Sequence, residues 1–154
     1  VETNRRRTLR RIAGAVPFAA LLSLAGCGGG GETTVAVTVQ EFAVLPAQDS
    51  APAGSITFDV ENTGPEDTHE FVVIKTDLAP DALPTAEDGS VDETGEGIDE
   101  VIGEIEDIAT GSSDTLKTDL EAGSYVLICN IVEEEGGDTL VHYALGMRTA
   151  FTVE

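Results

Sequence analysis

Four residues carry most of the soft-ligand chemistry in this chain of 154 residues. It has two histidines, His69 and His142, one methionine, Met147, and two cysteines, of which only Cys129 lies beyond the leader-like N-terminal segment. Thiolate, thioether and imidazole are the donors that select copper over harder metals. Each residue taken alone has a plain structural explanation: a hydrogen-bonded strand-end histidine, an exposed loop histidine, a methionine filling core space. A Cys129 nucleophile with a histidine base is a second chemistry, but no oxyanion-hole motif or orienting acid accompanies it, and Met147 is left without a role. The acidic stretch from Asp88 raises a calcium reading. It fails the EF-hand pattern, with Glu93 where Gly is needed and Asp99 where Glu is needed, and reads as a solvated loop.

The elements that must position these residues show mostly alternating polar and apolar positions, the signature of half-buried strands. "TVAVTVQEFAV" opens the domain, "GSITFDVENTG" follows with a turn at Asn62-Thr63-Gly64-Pro65, and "HEFVVIK" is a third strand. "SDTLKTDL" and "GSYVLICN" flank the turn "EAG", and "MRTAFTVE" ends the chain. The pattern predicts an all-β Greek-key sandwich with a long acidic loop between residues 76 and 111. A short helix is expected in that loop's first part, and a strand over residues 101–106. His69 opens one strand, Cys129 closes another and Met147 opens the last. Antiparallel pairing brings such strand ends together. By alternation, His69 shares a face with Phe71 and Val73, Cys129 with Tyr125 and Leu127, and Met147 with Phe151 and Val153.

Residues 1–26 read as a secretory signal: a basic "NRRRTLRR", a short apolar run, then a small-residue site. The arginine cluster resembles a twin-arginine leader. Leu24-Ala25-Gly26-Cys27 resembles a lipobox, so Cys27 is expected to be lipidated, with residues 27–33 a Gly-rich tether and residues 34–154 the domain. Cleavage before Cys27 would remove five of the eight basic residues and one of the 29 acidic ones, leaving a formal charge of −25. That excludes nucleic acid as a natural partner and suits a salt-rich environment. The expectation is a monomer tethered to the outside of the cell membrane. With Cys27 lipidated, Cys129 has no disulfide partner, and metal ligation or burial would protect its thiol from oxidation.

"NTGPEDTHEFVV", "AGSYVLICN" and "HYALGMRTAFTVE" together resemble the cupredoxins, and among them single-domain members such as plastocyanin, halocyanin and sulfocyanin. The resemblance covers most of the domain and is weakest over residues 76–111. It implies a type 1 copper site in which His69, Cys129 and His142 are the strong ligands and Met147 the long axial one. It also implies a carrier of single electrons rather than an enzyme, with a redox protein such as a cytochrome or an oxidase subunit as partner. A copper-delivery lipoprotein and a copper-free sandwich acting as a binding module are the alternatives.

One departure stands out. Family members place only a few residues between this Cys and this His, whereas here twelve intervene, "NIVEEEGGDTLV". Gly136-Gly137 flanked by "IVEE" and "DTLV" predicts a hairpin in which Glu135 faces Asp138, Glu133 faces Leu140 and Ile131 faces His142. Such a hairpin would return His142 to the site, and a disordered loop that leaves it unplaced is the competing arrangement. The hairpin is also expected to bring Glu133, Glu134, Glu135 and Asp138 near the metal and to lower its reduction potential, the effect shrinking in molar salt, where the Debye length is about 3 Å.

Overall fold

A computed structural model describes residues 31–154. The expected leader, Cys27 and the first part of the tether lie outside the described residues. The chain from Thr33 onward folds into two mixed sheets packed face to face. One has the order β2-β1-β4-β7, from β1 (Thr33–Gln40), β2 (Ala43–Pro46), β4 (Gly54–Asn62) and β7 (Ser113–Leu120). The other has the order β3-β11-β8-β5-β6, from β3 (Ser50–Ala51), β5 (His69–Lys75), β6 (Glu100–Ile108), β8 (Gly123–Ile128) and β11 (Arg148–Val153). A separate hairpin joins β9 (Val132–Glu135) to β10 (Asp138–Val141), and α1 (His142–Leu145) is a single helical turn.

The alternation read from the sequence sets the core. Val35, Val37 and Val39 from β1 and Ile56, Phe58 and Val60 from β4 face Phe71, Val73, Tyr125, Leu127, Phe151 and Val153 of the second sheet. The Phe58 ring lies 5.3 Å from that of Phe71 and 5.5 Å from that of Phe151, in tilted and edge-on contacts that anchor the middle of the sandwich. His69, Cys129 and Met147 sit at one end of this same layer.

Strands β5 and β8 are buried on both faces. Their outward residues Val72, Ile74, Val126 and Ile128 form a second apolar cluster with Leu83, Val91 and Tyr143. Residues 76–99 are the cover. This segment contains no helix, which corrects the expectation of a short helix there. Pro80 and Pro84 interrupt any helical ladder, and Asp88 and Asp92 turn their carboxylates onto the backbone N–H groups of Ser90 and Thr94, competing with helix formation. The one helical turn of the described residues is α1, between two of the candidate ligands. The strand expected over residues 101–106 is present as β6.

Candidate metal centre

Strand pairing assembles the site. β5 and β8 are antiparallel with Val72 opposite Ile128, and β8 and β11 are antiparallel with Arg148 opposite Ile128. The N-terminal end of β5, the C-terminal end of β8 and the start of β11 therefore lie side by side. Met147 continues the last ladder opposite Cys129, whose N–H donates to the Met147 carbonyl at 3.1 Å. The Met147 N–H in turn donates to the His142 carbonyl at 3.0 Å, closing the turn that carries both residues.

The inserted segment forms the expected hairpin. Glu135 pairs with Asp138 and Glu133 with Leu140. The His142 N–H donates to the Ile131 carbonyl at 3.0 Å, which carries the pairing one step past β10. Gly136 and Gly137 have φ of +62° and +96°, the left-handed region that a tight two-residue turn of this hand requires and that glycine enters without strain. His142 is thereby returned to the site despite the longer connection.

Three donor atoms converge. His69 Nδ1 and His142 Nδ1 are 3.2 Å apart, and Cys129 Sγ lies 3.4 Å from His142 Nδ1 and 4.0 Å from His69 Nδ1. Nitrogens about 2.0 Å and a sulfur about 2.3 Å from one ion, at angles between tetrahedral and trigonal, would lie about 3.3–3.5 Å (N–N) and about 3.5–3.7 Å (N–S) apart, and the three separations fall within about 0.3 Å of those ranges. His69, Cys129, His142 and Met147 are all wholly buried. The set is two imidazoles and a thiol facing one point, beside a thioether-bearing residue.

Surrounding groups hold each ligand, and several of them had no mark in the sequence. Asn62 is buried, and its side-chain amide donates to the carbonyls of Asp67 and Ile108, both at 2.8 Å, while its oxygen accepts from Gly64 N–H at 2.9 Å. It thus ties down the turn that leads into His69. Glu41 grips the same turn, accepting from Asp67 N–H at 2.6 Å, with its Oε1 3.7 Å from His69 Nε2. Gly64 leaves room for that carboxylate, since a Cβ there would fall 2.2 Å from Glu41 Oε2. Glu70 N–H donates to Cys129 Sγ at 3.3 Å, and the Glu70 carboxylate accepts from Asn130 N–H at 2.7 Å. Asn130 in turn bonds both backbone groups of Val91 and so fixes the acidic loop over the sheet. Tyr143 does the same from α1, with its hydroxyl donating to Pro80 O at 2.8 Å and accepting from Leu83 N–H at 3.2 Å. Arg148 lies over the Tyr143 ring and donates to the Tyr143 carbonyl. Position was the available signal for Glu70 and Asn130, each the immediate neighbour of a ligand on a strand end.

The electrostatics are those of a desolvated cavity with acids at its edge. Burial pushes the Cys129 thiol up to about 12, so without a cation the thiol stays protonated at neutral pH. A bound cation reverses this, because a coordinating thiol is deprotonated outright. Burial also lowers the His69 pKa, with repulsion from a charged His142 adding to it. The unfolded chain, with His near 6.5, therefore binds the proton first as pH falls. The stability associated with neutral His69 is complete above about pH 6.5 and is lost as pH drops through the depressed folded value. The metal-free protein is expected to melt at progressively lower temperature below about pH 6.5. A His69→Gln variant should show a weaker dependence, and equal slopes in scanning calorimetry would contradict this assignment.

The two sheets and the ligand-bearing strand ends define the chain as a β-sandwich of the cupredoxin fold. Solved structures with this fold include a reduced auracyanin from Roseiflexus castenholzii, 24% identical, covering 82% of this chain and 99% of that one with a TM-score of 0.52. Auracyanin A from Chloroflexus aurantiacus, described as a "blue" copper protein, is 19% identical over 80% of this chain and all of its own, also at 0.52. Rusticyanin from Thiobacillus ferrooxidans is 18% identical, covering 82% of this chain and 79% of its own at 0.52. At these identities the likeness establishes the fold, and none of the three is a plastocyanin, halocyanin or sulfocyanin. No protein-family model and no curated protein sequence matches the chain.

Proposed function

We propose that this protein holds one type 1 copper ion and carries single electrons between redox partners outside the cytoplasm. The observation that carries the reading is the convergence of His69 Nδ1, Cys129 Sγ and His142 Nδ1 in a wholly buried cluster. His69, Cys129 and His142 would be the strong ligands. Met147, paired through its backbone with Cys129, would be a weaker fourth ligand. Copper held there would supply a one-electron couple between Cu(II) and Cu(I), and thiolate, thioether and imidazole together suit both states. The auracyanins and rusticyanin support the assignment by fold, and one of them is by its own description a blue copper protein.

The chain's own residues do the rest. With a cation bound, Cys129 would release its thiol proton to solvent, and the Glu70 N–H that donates to Sγ would stabilise the thiolate. Asn62, Glu41, Glu70, Asn130 and Tyr143 hold the ligand-bearing turns from independent directions, so the ligands are preorganised and need move little when the charge changes. Burial of all four ligand side chains keeps water out, and Phe42 packs edge-on against the His142 ring at 5.2 Å between centroids.

Partner and location follow as proposals from the sequence. A lipidated Cys27 would tether the domain to the membrane. Among the described residues no helix is long and apolar enough to cross one. The carboxylates of Glu41, Asp67 and Glu133 gather on the histidine side, which suits a redox partner presenting basic residues, such as a cytochrome or an oxidase subunit. Protein-film voltammetry of the copper-loaded protein tests the function. The expected result is a reversible one-electron couple. Tight, colourless Cu(I) binding without reversible cycling would favour copper delivery instead, and no binding would favour a copper-free binding module.

A further inference from the structure

Only one of the two candidate ligand histidines has a hydrogen-bond partner on its outer nitrogen. His69 Nε2 is buried without one. His142 Nε2 lies 2.9 Å from Glu133 Oε1. The difference follows from how each residue is held. His69 sits in β5, flanked by β6 and β8, so strand pairing fixes its backbone. His142 opens a four-residue helical turn between the hairpin and Gly146, its backbone held by the bonds to Ile131 and Met147, and its ring reaches the site from outside the main sheets. The proton of a neutral imidazole there can sit on either nitrogen unless a partner engages one of them.

We propose that Glu133, brought in by the inserted hairpin, is the positioning residue for His142: its carboxylate accepts the Nε2–H and so turns the Nδ1 lone pair toward Cys129 and His69. This rests on the copper reading of the site. A neutral imidazole carries one proton, and an acceptor at Nε2 places it there. Partners of this kind orient ligand histidines and raise their basicity. Because His142 is wholly buried, its Nε2 faces the Glu133 carboxylate rather than solvent.

The hairpin singles out this acid among the four it carries. Glu134 accepts a hydrogen bond from the Thr139 hydroxyl at 2.6 Å. Glu135 and Asp138 face each other at the exposed turn. Asp67 also approaches His142 and Glu133, within 4.8 Å, but the hydrogen bond to the ring belongs to Glu133. The expectation that all four hairpin acids act near the metal narrows to one. It also gives the insertion a use: the register that pairs Glu133 with Leu140 sets the carboxylate beside a ring two positions further on.

Three variants test this, with two readouts each. The first readout is the tautomer of His142 in the metal-free protein, from imidazole nitrogen NMR. The second is Cu(I) affinity by competition with a chromophoric chelator. Wild type should show the Nε2–H form. Glu133→Ala should lose that preference and bind Cu(I) about 10–100-fold more weakly, the usual cost of removing such a partner. Glu133→Gln keeps an acceptor oxygen and should keep the tautomer and most of the affinity. Glu134→Ala should match wild type in both. A Glu133→Ala protein with wild-type tautomer and affinity would overturn the proposal. So would a Glu133→Gln protein as impaired as Glu133→Ala, since that would assign the effect to charge. If even wild type fails to hold copper, the copper reading fails, while the tautomer measurement still decides the role of Glu133.

Discussion

Replacing Cys129 with Ser is expected to abolish the intense visible absorption of the copper-loaded protein and to weaken copper binding by more than the ~100-fold upper range for losing an outer partner. The colour in this account arises from thiolate sulfur, and serine supplies none. A serine hydroxyl is also a poor donor for Cu(I), because it is harder and far harder to deprotonate than a thiol. The fold should survive. Cys129 is wholly buried at the edge of the core, and its sulfur receives the Glu70 N–H at 3.3 Å. A hydroxyl is smaller and can accept that same bond, so the loss of stability should stay within about 1–3 kcal/mol, the range for a buried polar group with imperfect partners. A folded, colourless Cys129→Ser protein beside a coloured wild type is the expected pair. Retained colour would remove Cys129 from the site.

Asn62→Ala is expected to give the second large effect, this time on stability. The side chain makes three hydrogen bonds, two within the turn before His69 and one to the Ile108 carbonyl at the end of β6. Removing it takes the donor from the Ile108 carbonyl and the acceptor from the Gly64 N–H, while the Asp67 carbonyl keeps the Thr110 hydroxyl at 3.2 Å, and refilling by water would recover part of the loss. The net cost should be about 2–4 kcal/mol, read as a lower urea midpoint at unchanged slope. Because the same turn is also gripped by Glu41, the domain should still fold, with His69 less well held and copper bound more weakly. A variant as stable as wild type would show that Glu41 alone suffices.

Much of this site was legible in the chain because its chemistry uses scarce residue types. His69, Cys129 and Met147 stand at predictable places on alternating strands, and alternation gave each an inward direction, whereas His142 depended on the hairpin. The hairpin was legible for a similar reason, since two adjacent glycines between short apolar segments leave little choice of register. The cover over the outer face was harder to see. Residues 76–99 have no periodicity, and their path depends on Asn130 and Tyr143 reaching backbone groups of Val91, Pro80 and Leu83. The unbroken apolar runs of β5 and β8 did carry a hint, because strands with Val72, Ile74, Val126 and Ile128 on their second face need something to bury them. The Glu133 contact was not readable as such. Charge and spacing put four acids in the hairpin, but only strand pairing together with the ring's orientation selects one of them.

The central claim is that His69, Cys129, His142 and Met147 hold a single copper ion through a thiolate. The most direct measurement is a titration of the purified domain with Cu(II) followed by visible absorption. The expected result is an intense thiolate-to-copper band that grows linearly, saturates at one equivalent and bleaches on addition of one electron per copper. Weak absorption of the kind copper gives on exposed carboxylates, without saturation at one equivalent, would contradict it.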